Sequence, residues 1–238
     1  VIAGLGCRGS GAPPALQKLV EHLGAPLLAT LRAKGVLPED HPLVAGVFAG
    51  GRLEEDLLSR ADGILAVGLD PVELLPRPWR AGLPVVALAD HTLGRRPYES
   101  ACELVADLPT SLEGVREALP PGGGWALAAW AAKGREFKAR ARAFLAEAST
   151  AKGRTGVPPH RVVEVAREVF PRQTIVAVDS GTHALVVAAF WDAHEPKGYL
   201  CSSGLGATGY ALPAAIAAKL VAQDRPVLAF LGDGAFLR

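Results

Sequence analysis

The chain has 238 residues, half of them apolar, so it can bury a sizeable core as one domain or two. Its 25 basic and 24 acidic residues give a net charge of +1, which argues against nucleic acid or a membrane surface as the main partner. Three cysteines without metal-ligand spacing, and no apolar run of membrane-spanning length, predict a protein of the reducing cytoplasm.

Residues 1–120 predict a first unit in which apolar strands alternate with helices. A glycine-rich turn at 4–9 follows the first strand and precedes a helix at 12–22, for which Gly24 is the expected cap. The remaining elements are strands at 26–30, 63–68, 83–88 and 102–105, and helices at 53–60 and 111–119. Such alternation predicts a parallel sheet covered on both faces.

A proline- and glycine-rich boundary at 120–124 opens a predicted linker over residues 121–156. Its helix, at 125–148, carries a run of Lys and Arg that resembles a nucleic-acid arm. Because Phe137, Phe144 and Leu145 interleave with these charges at helical spacing, we predict a solvated helix that packs by one face.

Residues 157–238 predict a second unit of the same type. Its expected elements are helices at 159–170, 182–192 and 209–222, and strands at 174–178, 199–201 and 227–231. The fold class is therefore α/β, with two doubly wound parallel-sheet domains. We expect the second domain to be truncated at its C-terminus, because the chain stops just after its third strand.

Small or polar residues follow all three strands of the second unit, at Ser180–His183, Ser202–Gly209 and Gly232–Gly234. Ligands of open α/β sheets lie outside the carboxyl ends of the strands, so these turns converge. A glycine-rich turn at a helix start suits a phosphate, and Asp233 between two glycines suits a cation that bridges to it. The sequence therefore predicts a metal–diphosphate site.

The same residues carry a resemblance to a known family. The run Gly204–Ile216, followed by Asp224–Val227 and Gly232–Gly234, resembles the diphosphate-binding domain of thiamine-diphosphate enzymes of the acetolactate synthase and benzoylformate decarboxylase type. Asp179–His183 resembles the segment of that domain that also contacts the diphosphate. Gly35–Pro42 resembles a stretch of the middle domain of these enzymes.

This resemblance implies thiamine diphosphate and Mg²⁺ as cofactors, and decarboxylation or carboligation of a 2-oxo acid as the reaction. It implies a homodimer or homotetramer, with residues 1–120 as the middle domain and 157–238 as part of the diphosphate-binding domain. It places Asp233 on the metal and no catalytic residue in this chain. The residues implied around the cofactor are Ser180, Gly181, Thr182, His183, Gly206, Ala207, Thr208, Gly232, Gly234 and Ala235.

The metal shell is expected to be incomplete. Mg²⁺ prefers about six oxygen ligands, and the resemblance implies a downstream asparagine among them, whereas the chain contains no asparagine. The resemblance also implies a glutamate from a preceding domain of a neighbouring subunit. We therefore expect the chain to be an internal piece of a longer protein, inactive by itself.

Two other classes of function stay open. The turns at 4–9 and 204–209 both match the dinucleotide fingerprint, so the runner-up is an NAD(P)- or FAD-binding Rossmann oxidoreductase. No carboxylate ends the second strand to hold a ribose. FAD is doubtful, because Gly68–Glu73 stands where FAD-holding acetolactate synthases carry Arg-Phe-Asp-Asp-Arg. The third class is a non-catalytic α/β fragment.

Three side chains have a structural alternative as well as a functional one. His183 is either a donor to the diphosphate or a satisfied histidine at a helix end. Asp233 is either a metal ligand or a helix cap. Asp179 either orients the neighbouring turn or caps the helix that follows it.

Overall fold

The computed structural model describes residues 1–9, 11–48, 50, 54–74, 79, 82–92, 94, 97–122, 127–149, 156–202 and 204–238. Parts of the predicted linker, 123–126 and 150–155, lie outside these described residues, as do Leu53 and Ser203.

The first unit is built on a six-stranded parallel sheet in the order β3-β2-β1-β4-β5-β6. Its strands are β1 (Ile2–Ala3), β2 (Leu27–Ala29), β3 (Val44–Val47), β4 (Ile64–Val67), β5 (Val85–Ala89) and β6 (Cys102–Val105). This is the strand order of the doubly wound dinucleotide-binding fold. The predicted α/β class is confirmed.

Helices cover both faces of this sheet. On one face α1 (Ala12–Leu23) and α3 (Leu108–Ala118) pack together, and α1 buries Leu16, Leu19 and Val20. On the other face the short α2 (Glu55–Leu58) contributes Leu57 to a second core cluster. Gly24 ends α1 in the left-handed conformation, as predicted, with a φ of 60°.

Strand β3 is absent from the sequence prediction. Gly46 interrupts its apolar run, and glycine weakens the β signal of a short segment. Parallel pairing with β2, with a register shift between Leu27 and Leu28, places it in the sheet nonetheless.

The second unit has a three-stranded parallel sheet in the order β8-β7-β9. Its strands are β7 (Ile175–Val178), β8 (Tyr199–Cys201) and β9 (Val227–Phe230), and all four residues of the central β7 are buried. Its helices are α5 (Pro159–Val169), α6 (Thr182–Phe190), α7 (Ala211–Val221) and the unpredicted single turn α8 (Asp233–Phe236).

Helix α4 (Leu127–Ser149) connects the two units and contacts both β3 and α6. Arg142 donates to Asp192 Oδ1 at 2.7 Å and to the Ala189 carbonyl at 2.9 Å, and Leu145 packs on the second core. The sequence predicts Phe144 on the packed face, but its exposed fraction is 61%, and the side chain of Phe137 lies outside the described residues. Across the described residues, no helix is both long and apolar enough to span a bilayer.

A buried ion pair fixes the second unit against the first. Lys34 Nζ lies 2.6–2.7 Å from both carboxylate oxygens of Glu39 and donates to the Ala188 carbonyl of α6 at 2.9 Å. Glu39 in turn accepts the Ala193 N–H at 2.6 Å. The segment that follows β2 carries this pair and packs against β8, so the carboxyl end of β2 faces the second unit.

Candidate functional site

The carboxylate of Asp179, directly after β7, organises two of the predicted turns. Asp179 is 1% exposed, and its Oδ1 accepts the N–H groups of Ser180 at 2.9 Å and Gly209 at 3.1 Å. Its Oδ2 accepts the Ala211 N–H, the first of α7, at 2.8 Å. Asp179 therefore orients the turn before α7, which decides between the two alternatives left by the sequence.

The charge of Asp179 is maintained in spite of its burial. Burial by itself raises the pKa of this carboxyl group, but the N–H groups of Ala211, Gly209 and Ser180 lower it, and the net pKa lies below the ordinary value. The carboxylate thus stays ionised at neutral pH.

Two of the predicted turns touch each other, and the chain that follows the third lies beside them. Ser180 Oγ and Thr208 Oγ1 lie 3.2 Å apart, at hydrogen-bonding distance, and Ser202 Oγ accepts the Ala207 N–H at 3.0 Å. A Cβ added at Gly209 would lie 3.3 Å from Arg238 Cβ and 3.8 Å from the Ala235 carbonyl oxygen. The turns after β7 and β8 are therefore in contact through Asp179, Ser180 and Thr208, and Gly209 lies beside Ala235 and Arg238, which follow the turn after β9.

The glycines of these turns leave space for a close approach to the backbone. Gly206 has a φ of 57°, and a Cβ added there, or at Gly232 or Gly234, would meet nothing within 4 Å among the described residues. Gly181, the residue before α6, has a φ of 142°. Open backbone at a strand-to-helix turn is the geometry that binds phosphate in α/β proteins.

His183 is not a satisfied histidine in the part of the chain described. It lies in the first turn of α6, next to Thr182, and its Nε2 is buried without a hydrogen-bond partner there. Its ring would contact a Cβ at Gly181 at 2.9 Å, so only glycine leaves the ring in this position. A buried unpaired imidazole nitrogen is costly, and a ligand oxygen would satisfy it.

Asp233 is the exposed first residue of α8, and the residue in the cap position is Gly232. The helix-cap alternative for Asp233 therefore does not apply. Among the described residues, no group of three or more His, Cys, Asp and Glu side chains comes together as a metal site. The carboxylate of Asp233 is thus free to face a ligand but forms no protein-only metal centre in these residues.

The other glycine-rich turn, in the first unit, is filled by a carboxylate of the chain itself. Glu73 accepts the Leu5 N–H at 2.7 Å and the Thr30 hydroxyl at 2.5 Å. Burial raises the pKa of Glu73, and these donors oppose the rise. A Cβ at Gly4 would lie 2.9 Å from Glu73 Oε2, so the turn is packed tightly around this side chain.

A cavity of about 290 Å³ lies beside this turn at the carboxyl ends of β1, β4 and β5. Its lining includes Asp70, Asp90 and His91. Two carboxylates and the internal Glu73 oppose the approach of a dinucleotide diphosphate, since like charges repel.

The sequence of the chain matches two models of known protein families, one in each unit. Residues 1–115 match the family described as "Thiamine pyrophosphate enzyme, central domain", and residues 179–238 match "Thiamine pyrophosphate enzyme, C-terminal TPP binding domain". The chain belongs to the thiamine pyrophosphate enzymes, which confirms the resemblance read from the motifs.

Three curated relatives illustrate the similarity. The chain is 31% identical over 242 residues to the probable 2-ketoarginine decarboxylase AruI of Pseudomonas aeruginosa, and this alignment covers 100% of the chain. It is 28% identical over 269 residues, again 100% of the chain, to a probable acetolactate synthase large subunit of Methanocaldococcus jannaschii. It is 27% identical over 266 residues, 99% of the chain, to a sulfoacetaldehyde acetyltransferase of Alcaligenes xylosoxydans xylosoxydans. The chain spans 41%, 41% and 44% of these relatives, respectively.

Two residues that shape the site are missing from the predicted set. The sequence leaves Asp179 with an orienting or a capping role outside the predicted cofactor set, and it gives Ser202 only a place in the turn after β8. In the sequence, each of the two residues is marked only by its position after a strand. The backbone N–H groups that donate to them come close only when α7 and the turn before it pack in the folded chain.

Proposed function

We propose that the protein carrying this chain is a thiamine-diphosphate- and Mg²⁺-dependent enzyme that acts on 2-oxo acids by decarboxylation or carboligation. The observation that carries the proposal is the contact between the turns after β7 and β8, where Asp179 holds Gly209 and Ala211 and Ser180 meets Thr208. Two relatives whose names state decarboxylation and acetolactate synthesis support the reaction class.

In this proposal the residues of the chain have separate tasks. Asp179 fixes the turn without contacting the cofactor, and the open backbone at Gly206, Gly232 and Gly234 lets the diphosphate approach. His183 donates from Nε2, the buried atom without a partner, to a phosphate oxygen. Asp233 supplies one carboxylate oxygen to Mg²⁺, the type of ligand that this ion prefers.

When bound, thiamine diphosphate supplies the electron sink for cleavage or formation of the bond next to the substrate carbonyl. The groups of this chain bind and orient its diphosphate end. We propose that other segments supply the remaining metal ligands and the acid–base group, in a homodimer or homotetramer, so that the chain by itself binds the cofactor weakly and does not turn over. We also propose unit boundaries at 1–120, 121–156 and 157–238.

The test is thermal unfolding of the full-length protein with and without thiamine diphosphate and Mg²⁺. At one hundred times its dissociation constant, a ligand that binds only the folded state stabilises it by about 2.7 kcal/mol. We expect Asp233→Asn and His183→Ala to reduce this gain. The exposed Asp224, which follows α7, provides the matched control Asp224→Asn, with the gain unchanged.

Each alternative function has its own outcome in this experiment. Stabilisation by NAD or FAD in place of thiamine diphosphate would support the oxidoreductase. Absence of stabilisation by all three ligands would support a non-catalytic fragment. If Asp233→Asn and His183→Ala were both stabilised by the cofactor as much as the parent protein, the proposed site would be wrong, even though the cofactor binds.

A further inference from the structure

A second contact between the two units lies at the edge of the second sheet opposite the candidate site. Helix α6 begins at the carboxyl end of β7 and runs back, so residues 191–198, which follow it, lie near the amino ends of β7 and β8. These residues meet residues 38–42 of the first unit, where the Glu39 N–H donates to the Ala193 carbonyl at 3.0 Å. The contact is therefore separate from the diphosphate turns.

An ion pair crosses between the units at this contact. Arg172, which follows α5, donates to both carboxylate oxygens of Asp40, at 2.6 Å and 3.2 Å. The hydrogen bonds from Arg172 lower the pKa of Asp40 to about 2, so Asp40 stays ionised wherever a histidine titrates. Both side chains are exposed, and water screens such a pair, so it contributes little to stability by itself.

His194 is enclosed beside this ion pair. Its side chain is only 10% exposed, and its Nδ1 lies 3.4 Å from Asp40 Oδ1. This Nδ1 is buried and has no hydrogen-bond partner in the part of the chain that the structure describes. Both oxygens of Asp40 already accept from Arg172, so His194 adjoins the pair without forming a hydrogen bond to it.

Charged groups face His194 from every element packed around it. The cations are Arg172 and Arg167, and the anions are Asp40 and Asp192. The carboxylate of Asp192 is already engaged, because its Oδ1 accepts from a guanidinium nitrogen of α4 at 2.7 Å. Asp40 and Asp192 are thus both committed to arginines, and neither is free to neutralise an imidazolium.

The neutral imidazole fits this position better than the charged one. Burial lowers the pKa of His194, and the positive charge of Arg172 lowers it further, against the opposite effect of Asp40. A proton on His194 would place a third cation in an enclosed position beside two guanidinium groups, where like charges repel.

We propose that His194, Asp40 and Arg172 form a pH-sensitive contact between the two units, which stays closed while the imidazole is neutral and opens when the imidazole takes up a proton. In the open state the imidazole reaches water and has an ordinary pKa of about 6.5, above its value in the closed state. The stabilisation is therefore complete above about pH 6.5 and is lost as the pH falls below it.

The test is hydrogen exchange of the full-length protein by mass spectrometry at about pH 7.5 and about pH 5.5, corrected for the intrinsic effect of pH on exchange. The reporters are the amides of Glu39 and Ala193, which bond across the contact. We expect their protection to fall about three- to tenfold in acid, because a pKa difference of one between open and closed states changes the opening equilibrium tenfold. The buried amides of β7 should keep their protection.

Two substitutions break the same ion pair but change the charge around His194 in opposite directions. Arg172→Gln removes a cation and leaves Asp40 free to accept from the imidazolium, so the loss of protection in acid should shrink. Asp40→Asn removes the anion and keeps the cation, so the loss should grow. A purely structural role of the ion pair would affect the two variants alike.

Replacement of the imidazole itself completes the experiment. His194→Gln should abolish the loss of protection in acid. The matched control is His41→Gln, since His41 follows Asp40 directly but bonds to Glu21, and here the loss should remain.

Two results would overturn the proposal: a loss of protection that persists in His194→Gln, or an equal response of Arg172→Gln and Asp40→Asn to acid. The second comparison keeps the imidazole in place, so it decides the question even if His194→Gln does not fold.

Discussion

The carboxylate of Asp179 sets the position of two turns at once, because its two oxygens accept N–H groups from both. Removing it leaves the N–H groups of Gly209 and Ala211 without their acceptor. The turn that carries Gly206 and Thr208 then loses its fixed relation to β7. Asp179 is thus a positioning residue for the candidate site.

We expect Asp179→Ala to lower the free energy of unfolding by about 3 kcal/mol, since it removes several charge-assisted hydrogen bonds of a buried group. Denaturant unfolding at pH 7 measures this loss. The exposed Asp224 gives the matched control, and Asp224→Ala should stay within about 0.5 kcal/mol. A loss no larger than that of the control would show that Asp179 does not hold the turn.

The lowered pKa of Asp179 predicts that the stability lost in Asp179→Ala depends on pH. The folded-state pKa of Asp179 is lowered, so its stabilising contribution is present above the unfolded-state pKa of about 3.9 and is lost as the pH falls through the folded value. The difference between parent and Asp179→Ala should therefore shrink in acid. A difference that is constant from pH 7 to pH 2 would contradict the assignment of a lowered pKa.

Among the connecting elements, the segment between β2 and β3 joins the two units. Gly35 in this segment has a φ of 83°, and a Cβ there would lie 2.2 Å from the Glu195 carbonyl oxygen of the second unit. Glycine is required at this position both for its conformation and for the close approach. Lys34 and Glu39, on either side, bond to Ala188 and Ala193.

We expect Gly35→Ala to be clearly more destabilising than Gly82→Ala. Gly82 also has a positive φ, 61°, but a Cβ there meets nothing within 4 Å among the described residues. Gly82→Ala should therefore cost about 1 kcal/mol of backbone strain, whereas Gly35→Ala adds a clash with backbone. Thermal unfolding of both variants measures the difference, and equal losses would mean that the contact with Glu195 is not close.

For the molecule as a whole, the buried pair Lys34–Glu39 couples the two sheets. The ammonium group lies over the Tyr199 ring, 5.4 Å from its centre, in addition to its contacts with Glu39 and Ala188. Removing one partner of a buried ion pair leaves an uncompensated charge and costs about 3–5 kcal/mol. We expect this loss of free energy to weaken the contact between the two units and to leave the core of each unit unchanged.

We therefore expect the parent protein to unfold in one cooperative transition and Lys34→Met to unfold in two. In a background where Trp79, Trp125 and Trp130 are replaced by Phe, circular dichroism and the fluorescence of Trp191, in the core of the second unit, should coincide for the parent and separate for the variant. The exposed Lys18 of α1 provides the control Lys18→Met, in which the two signals should still coincide. Coincident signals in Lys34→Met would show that the pair does not couple the units.

The sequence by itself determined the alternation of strands and helices, the three strand-end turns and the family, because these features depend on local periodicity and on residue spacing. It predicted β1, β2, β4–β9 and seven of the described helices within a few residues for most of them. Strand β3 was not predicted, because its place in the sheet comes from pairing with β2 and not from its own composition.

Only the tertiary structure decided what each polar group near the turns does. Asp179, Glu73 and Arg8 all follow strands, and nothing in their local sequence separates them. Asp179 accepts N–H groups of a turn thirty residues away, Glu73 fills the first glycine-rich turn from a distant loop, and the Arg8 Nε atom finds no acceptor within the described residues. Hydrogen bonds join atoms that are close in space, and this proximity is set when the sheets assemble.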